Sequence, residues 1–171
     1  MQWTCIRCGG VHEGRPLDWG YDAPIYWHEL TPEQRARGKL SEDLCVILDD
    51  DGEHFFIRGV LPIPVRTSGE EFRYGVWTSL SEKSFRRVVE LWNDPKRTEE
   101  SPYFGWLSNS IAGYPETLNL KTNVHTRDLN LRPTIELQPT DHPLAVEQRE
   151  GITPDRLQEL VELQLHRAQD L

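Results

Sequence analysis

The sequence predicts an α+β fold: a mainly antiparallel sheet with helices packed on one face, preceded by an irregular arm. Three observations carry this. Strand-like runs fill the middle of the chain and are joined by turn residues, not by crossover helices. Two helical segments each show a single apolar stripe. The 171 residues, 27% charged and 37% apolar, suit one domain able to bury roughly 70% of its unfolded surface. The expected organisation is a single domain over 1–171, with an arm at 1–24 and the α+β core at 25–171.

The arm is rich in Gly and Pro. Thr31-Pro32-Glu33 then starts a short helix, with Thr31 as N-cap and Pro32 in the first turn, and Gly38 ends it. Leu44–Leu48 and His54–Leu61 flank the turn residues Asp50-Asp51-Gly52 and form a hairpin that pairs Leu48 with Glu53, Ile47 with His54 and Cys45 with Phe56. Phe72–Leu80 is a further strand. Ser81 caps a helix over 81–93 whose buried face is Phe85, Val88, Val89 and Trp92, and Asp94-Pro95 closes it. Short strands follow at Tyr103–Leu107, at Thr117–Thr126, where Leu118, Leu120, Thr122 and Val124 share one side, and at Pro133–Leu137. Pro143–Glu150 is a short helix ended by Gly151. A last helix, 154–168, buries Leu157, Leu160, Val161 and Leu165.

Composition narrows the function classes. The net charge of −9 and the scattered Lys and Arg disfavour nucleic acid and anionic membrane surfaces as partners. No apolar run approaches the ~18 residues of a membrane span, and the N-terminus has no signal-like apolar stretch. Three cysteines, two of them in Cys5-x-x-Cys8, fit a reducing cytoplasm better than a disulfide framework.

Cys5-Ile6-Arg7-Cys8-Gly9-Gly10-Val11-His12 is the sharpest local signal. Two thiolates at this spacing grip one tetrahedral ion, and the glycines permit the tight turn, so the arm reads as zinc-knuckle-like. A redox pair would open a helix, which Gly9-Gly10 argues against. A complete structural zinc site needs four ligands. The candidates for the other two are His12, Cys45, His54 and His142, with Cys45 and His54 on one face of the hairpin. For Cys45 alone, an ordinary core strand is the competing explanation.

The stretches CIRCGGVHEGRPLDWGYDAPIYW, DGEHFFIRGVLPIPV, YGVWTSLSEKSF, PYFGWLSN, YPETLNLKTNVHTR and LRPTIELQPTDHPLAVEQREGIT resemble, in order and over essentially the whole chain, the bacterial family catalogued as domain of unknown function 2199. The resemblance implies a small stand-alone bacterial protein. It implies no activity.

Two further constellations are candidates for ligand binding. Asn119, Lys121, Asn123, His125 and Arg127 project from one side of a strand, about 7 Å apart, and such a row suits an anionic ligand or an acidic partner patch. It equally suits the solvated face of a one-sided sheet. His142, in Thr140-Asp141-His142-Pro143, suits a metal ligand or an oriented base, while Asp141 there suits a helix cap. Trp19, Tyr21, Tyr26 and Trp27 either dock the arm on the sheet or form a binding surface. No nucleotide loop, HExxH motif or nucleophile elbow is present. The expected function is a non-catalytic, zinc-stabilised protein-interaction module of the immunity or regulatory kind, with a protein partner. The alternative is a small enzyme whose site gathers His125, His142, Asp141 and Lys121.

Overall fold

The computed structural model describes residues 2–167. Strands β1 (Gln2–Thr4) and β2 (Val11–Glu13) form a separate antiparallel hairpin. After β3 (Asp18–Gly20) come helices α1 (Ile25–His28) and α2 (Pro32–Arg37), then β4 (Lys39–Leu40), β5 (Leu44–Asp49), β6 (Gly52–Pro64) and β7 (Glu71–Leu80). Helix α3 (Glu82–Glu90) and a 3-10 turn at Pro95–Glu99 lead into β8 (Tyr103–Leu107), β9 (Lys121–His125) and β10 (Thr134–Leu137). Helices α4 (Pro143–Glu150) and α5 (Pro154–Arg167) follow. Position 168, the expected end of the last helix, lies outside the described residues.

The main sheet runs β3-β7-β8-β9-β10-β6-β5-β4, and β7 also pairs with β6. Five strands, β6 to β10, therefore close on themselves as a barrel. The α+β class and the mainly antiparallel pairing stand as expected; the closure corrects the expectation of a simple sheet with helices packed on one face. Each consecutive pair in the ring is antiparallel, and an odd number of alternating strands forces the closing pair to be parallel. Thr134 of β10 meets Val60 of β6 in that parallel register, and the Val60 amide donates to the Pro133 carbonyl at 2.8 Å. Closure needs the two backbones to approach at Gly59, where a Cβ would lie 2.5 Å from Ile135 Cδ1 and 2.8 Å from the Pro133 oxygen. Alternation along a strand specifies its faces, not whether the sheet curls shut, which is why the sequence did not reveal the barrel.

Inside, β6 contributes Phe55, Ile57, Leu61 and Ile63, all odd-numbered, with Gly59 in the same row. Strand β7 contributes Phe72, Tyr74, Val76 and Leu80. Leu107, Val124, Ile135 and Leu137 complete the wall, and Phe85 of α3, Leu144 of α4 and Leu157, Leu160 and Val161 of α5 join the same core. The buried hydroxyls of Thr78 and Thr122 satisfy each other at 2.7 Å. On the outer side of β5–β7, Cys45, Ile47, Phe56 and Trp77 form a second cluster under Tyr21, Tyr26, Trp27 and Leu30. Trp77 Nε1 donates to the Tyr21 carbonyl at 2.9 Å. The arm aromatics thus dock on the sheet, and helices contact both of its sides.

Three local expectations change. Val89 is 49% exposed, and α3 ends at Glu90, short of the expected 93, so Leu91 at the C-cap is the buried residue and Trp92, beyond the helix, is only half-buried. Asn119 has a φ of +64°, so the regular strand begins only at Lys121 and Asn119 leaves the polar row. Its Oδ1 instead accepts from the Tyr26 hydroxyl. His142, not Asp141, caps α4: its Nδ1 accepts from the Leu144 amide at 3.1 Å.

Candidate metal centre

Cys5 leaves β1 as the chain turns, and the turn is closed by backbone bonds at both ends: Gly9 N to the Cys5 oxygen and Cys5 N to the Gly10 oxygen, each 2.9 Å. Gly9 sits at φ +68°, a region costly for residues with a Cβ. The amide of Gly10 points at Cys8 Sγ, 3.4 Å away. A Cβ at Gly10 would lie 3.3 Å from that sulfur and 3.9 Å from His12 Nε2, so glycine keeps this space clear. The hairpin pairs Trp3 with His12, and their rings stack at 4.8 Å. Trp3 is held in turn by its Nε1 bond to the Gly14 carbonyl at 2.8 Å.

The result brings the Cys5 and Cys8 sulfurs and a His12 ring nitrogen within 4.8 Å of one another, with Cys8 Sγ and His12 Nε2 3.6 Å apart. All three cysteines are free thiols. Burial raises the pKa of the Cys5 thiol, but bonds from His166 and from the backbone amides of Cys8 and Arg7 outweigh burial and pull it below its ordinary value. Two soft thiolates and an imidazole in this space suit a tetrahedral ion.

The other expected ligands lie elsewhere. Cys45 is fully buried in the second cluster, where desolvation pushes its thiol up to about 12, the state of an inert core cysteine. His54 bonds Asp49 at 3.0 Å. His142 caps α4, and its Nε2 donates to the Glu116 carbonyl at 3.1 Å. A residue absent from the expected set stands beside the cysteines instead: His166 Nε2, on the last turn of α5, is 3.1 Å from Cys5 Sγ. One turn earlier, the buried Glu162 accepts from the Ile6 amide at 3.1 Å and from Gln158 at 2.9 Å. The available sequence signal was the polar row 158, 162, 166 at helical spacing beside the apolar stripe of α5.

On β9, Lys121, Asn123 and His125 do share the outward face. Asn123 accepts from Gln138 at 3.3 Å, and His125 lies 3.1 Å from Glu136. Arg127 departs from the row to bond the Arg132 carbonyl. Across on β8, Phe104 and Trp106 are 44% and 40% exposed, edge to face at 5.1 Å, with Lys121 Nζ 5.9 Å from the Trp106 ring. None of His125, His142, Asp141 and Lys121 lines the ≈ 310 Å³ pocket between α3 and residues 126–133 or the groove beside Tyr26 and His54.

Residues 4–152 match the family described as "Uncharacterized protein conserved in bacteria (DUF2199)". The chain belongs to this family. No curated protein and no solved structure matches it. The DUF2199 span takes in Cys5, Cys8, His12 and the whole barrel, whereas His166 lies beyond its end. Among the described residues, no helix is long and apolar enough to cross a membrane.

Proposed function

We propose that the protein is a non-catalytic interaction module of the cytoplasm, stabilised by one zinc ion on Cys5, Cys8 and His12, which binds a protein partner through the outer face of β8 and β9. The exposed pair Phe104–Trp106, ringed by Lys121, Asn123 and His125, carries the binding half of this reading. Paired aromatics exposed on a sheet face are costly in water and are the residue types that anchor interfaces. The surrounding polar groups supply a rim that sets orientation. The enzyme alternative loses support because its four side chains line neither cavity, and a pocket is where substrate chemistry takes place.

Elemental analysis of purified protein tests the metal, and less than ~0.2 zinc per chain would remove it. For the binding face, wild type and a Phe104→Ala/Trp106→Ala variant serve as baits in a bacterial lysate. The expected result is one stoichiometric partner retained by wild type and lost by the variant, with equal melting temperatures. Equal capture by both proteins, or a small molecule carried through purification with no protein, overturns the reading.

A further inference from the structure

The three clustered ligands leave one position of a tetrahedral ion unfilled, and three protein ligands with an open fourth place is the pattern of catalytic zinc. The geometry points to His166 as the fourth ligand, so that the metal centre is a closed Cys2His2 site joining the N-terminal knuckle to α5. This deepens, and rests on, the zinc reading above.

The contact with Cys5 suits it; His166 stands outside the Cys5–Cys8–His12 group whose ligand atoms all lie within 4.8 Å of one another, so the ion must draw its ring toward Cys8 and His12. Zinc–sulfur bonds of about 2.3 Å and zinc–nitrogen bonds of about 2.0–2.1 Å place sulfur and nitrogen roughly 3.6 Å apart across a tetrahedron. Cys8 to His12 is 3.6 Å, and Cys5 to His166 is 3.1 Å. Each cysteine is thus matched with one imidazole, through Nε2 in both cases. The approach of α5 is held independently of any ion: Glu162, one turn before His166 on the same row, is 4% exposed and accepts from the Ile6 amide inside the Cys5–Cys8 loop. Gln158, one turn earlier still, fixes that carboxylate. A fixed carboxylate beside the metal ligands is the kind of outer partner that orients a site. A Cys–His pair of this length is also the signature of an activated nucleophile, but Cys5 is 0% exposed and no substrate reaches it. A closed site of this kind is structural: it ties residues 5–12 to residue 166 and contributes its binding free energy to folding.

Cobalt(II) substitution of the full chain tests the assignment, with wild type, His166→Ala and His166→Cys compared by visible absorption and by competition with a chelator. Wild type is expected to give the intense visible bands of tetrahedral cobalt. His166→Ala is expected to show weaker bands, from water entering the coordination sphere, with affinity lower by on the order of 100-fold, at least what loss of an outer partner costs. His166→Cys is expected to regain the tetrahedral bands, with stronger thiolate-to-metal charge transfer, which also guards against simple misfolding of the alanine variant. Wild type that binds neither zinc nor cobalt overturns the zinc reading and this inference together. Wild type that binds metal, with an identical spectrum and affinity in His166→Ala, overturns the His166 ligand alone and leaves the three-residue site standing. Hydrogen exchange adds a separate readout: chelation is expected to lower protection in residues 158–167 as well as 5–12, and unchanged protection in 158–167 overturns the link to α5.

Discussion

Replacing Gly59 with alanine tests barrel closure directly. The new Cβ would lie 2.5 and 2.6 Å from Ile135 Cδ1 and Cγ1 and 2.8 Å from the Pro133 carbonyl oxygen. Ile135 is 0% exposed and has little room to rotate away, and the oxygen belongs to the backbone. Relief therefore requires β10 to move off β6 by several tenths of an ångström, lengthening the 2.8 Å bond from Val60 to Pro133. Overpacking of this kind costs about 1–3 kcal/mol, and weakening the bond adds up to about 1 kcal/mol. Loss of glycine's freedom in the unfolded chain offsets about 0.5–1 kcal/mol. The net expectation is a loss of about 1–3 kcal/mol, read from urea denaturation, with a fall of roughly 2–12 °C in melting temperature for a chain of this size. Ile135→Val removes the nearest atom, so the double variant is expected to lose less than the sum of the two single variants. A neutral or stabilising Gly59→Ala would refute the close β6–β10 contact.

Cys8→Ser, or chelation of the wild type, is expected to lower stability by several kcal/mol, measured as a shift in the urea midpoint; coincident curves would remove the ion from the folding balance. Arg97 is 8% exposed and donates to the carbonyls of Trp92, Arg127, Asp128 and Leu131 at 2.8–3.1 Å. Arg97→Lys keeps the charge but loses the fork, for an expected cost of about 2–4 kcal/mol and faster hydrogen exchange in 126–133; a cost under about 1 kcal/mol would refute the role of the fork. The bond from Arg87, aided by Tyr103, holds the Glu100 carboxyl below its ordinary value of 4.5. That contribution is fully present above pH 4.5 and disappears as pH falls through the depressed folded value. Glu100→Gln is therefore expected to flatten the acid limb of stability against pH, and an unchanged slope would count against the pairing.

Local features were legible because short-range chemistry fixes them. The hairpin register of Cys45 with Phe56, Ile47 with His54 and Leu48 with Glu53 appears as read, since Asp50-Asp51-Gly52 leaves little choice of turn. The Thr31 and Ser81 N-caps also appear in place. What escaped depends on distant partners. Gly59 reads as a strand glycine until β10 lies against it. His166 reads as a helix-end histidine, and its partner Cys5 is 161 positions away. Cys45 has a plausible ligand chemistry, but its strand face meets Trp77 and Phe56. Asn119 continues the alternation in letters and ends it in conformation, because asparagine tolerates the left-handed region that most residues avoid.

The metal centre and the aromatic face are connected through the core. Helix α5 carries His166 at its end and Leu157, Leu160 and Val161 in its middle, and these three share a cluster with Leu107 of β8 and Val124 of β9. The opposite sides of those same strands present Phe104, Trp106, Lys121 and Asn123. On the proposed reading, an ion that fixes α5 also stiffens the sheet on which the partner docks. A rigid face loses less entropy on association than a mobile one. The metal then has a place in binding without touching the partner, and its removal acts on affinity through the barrel wall.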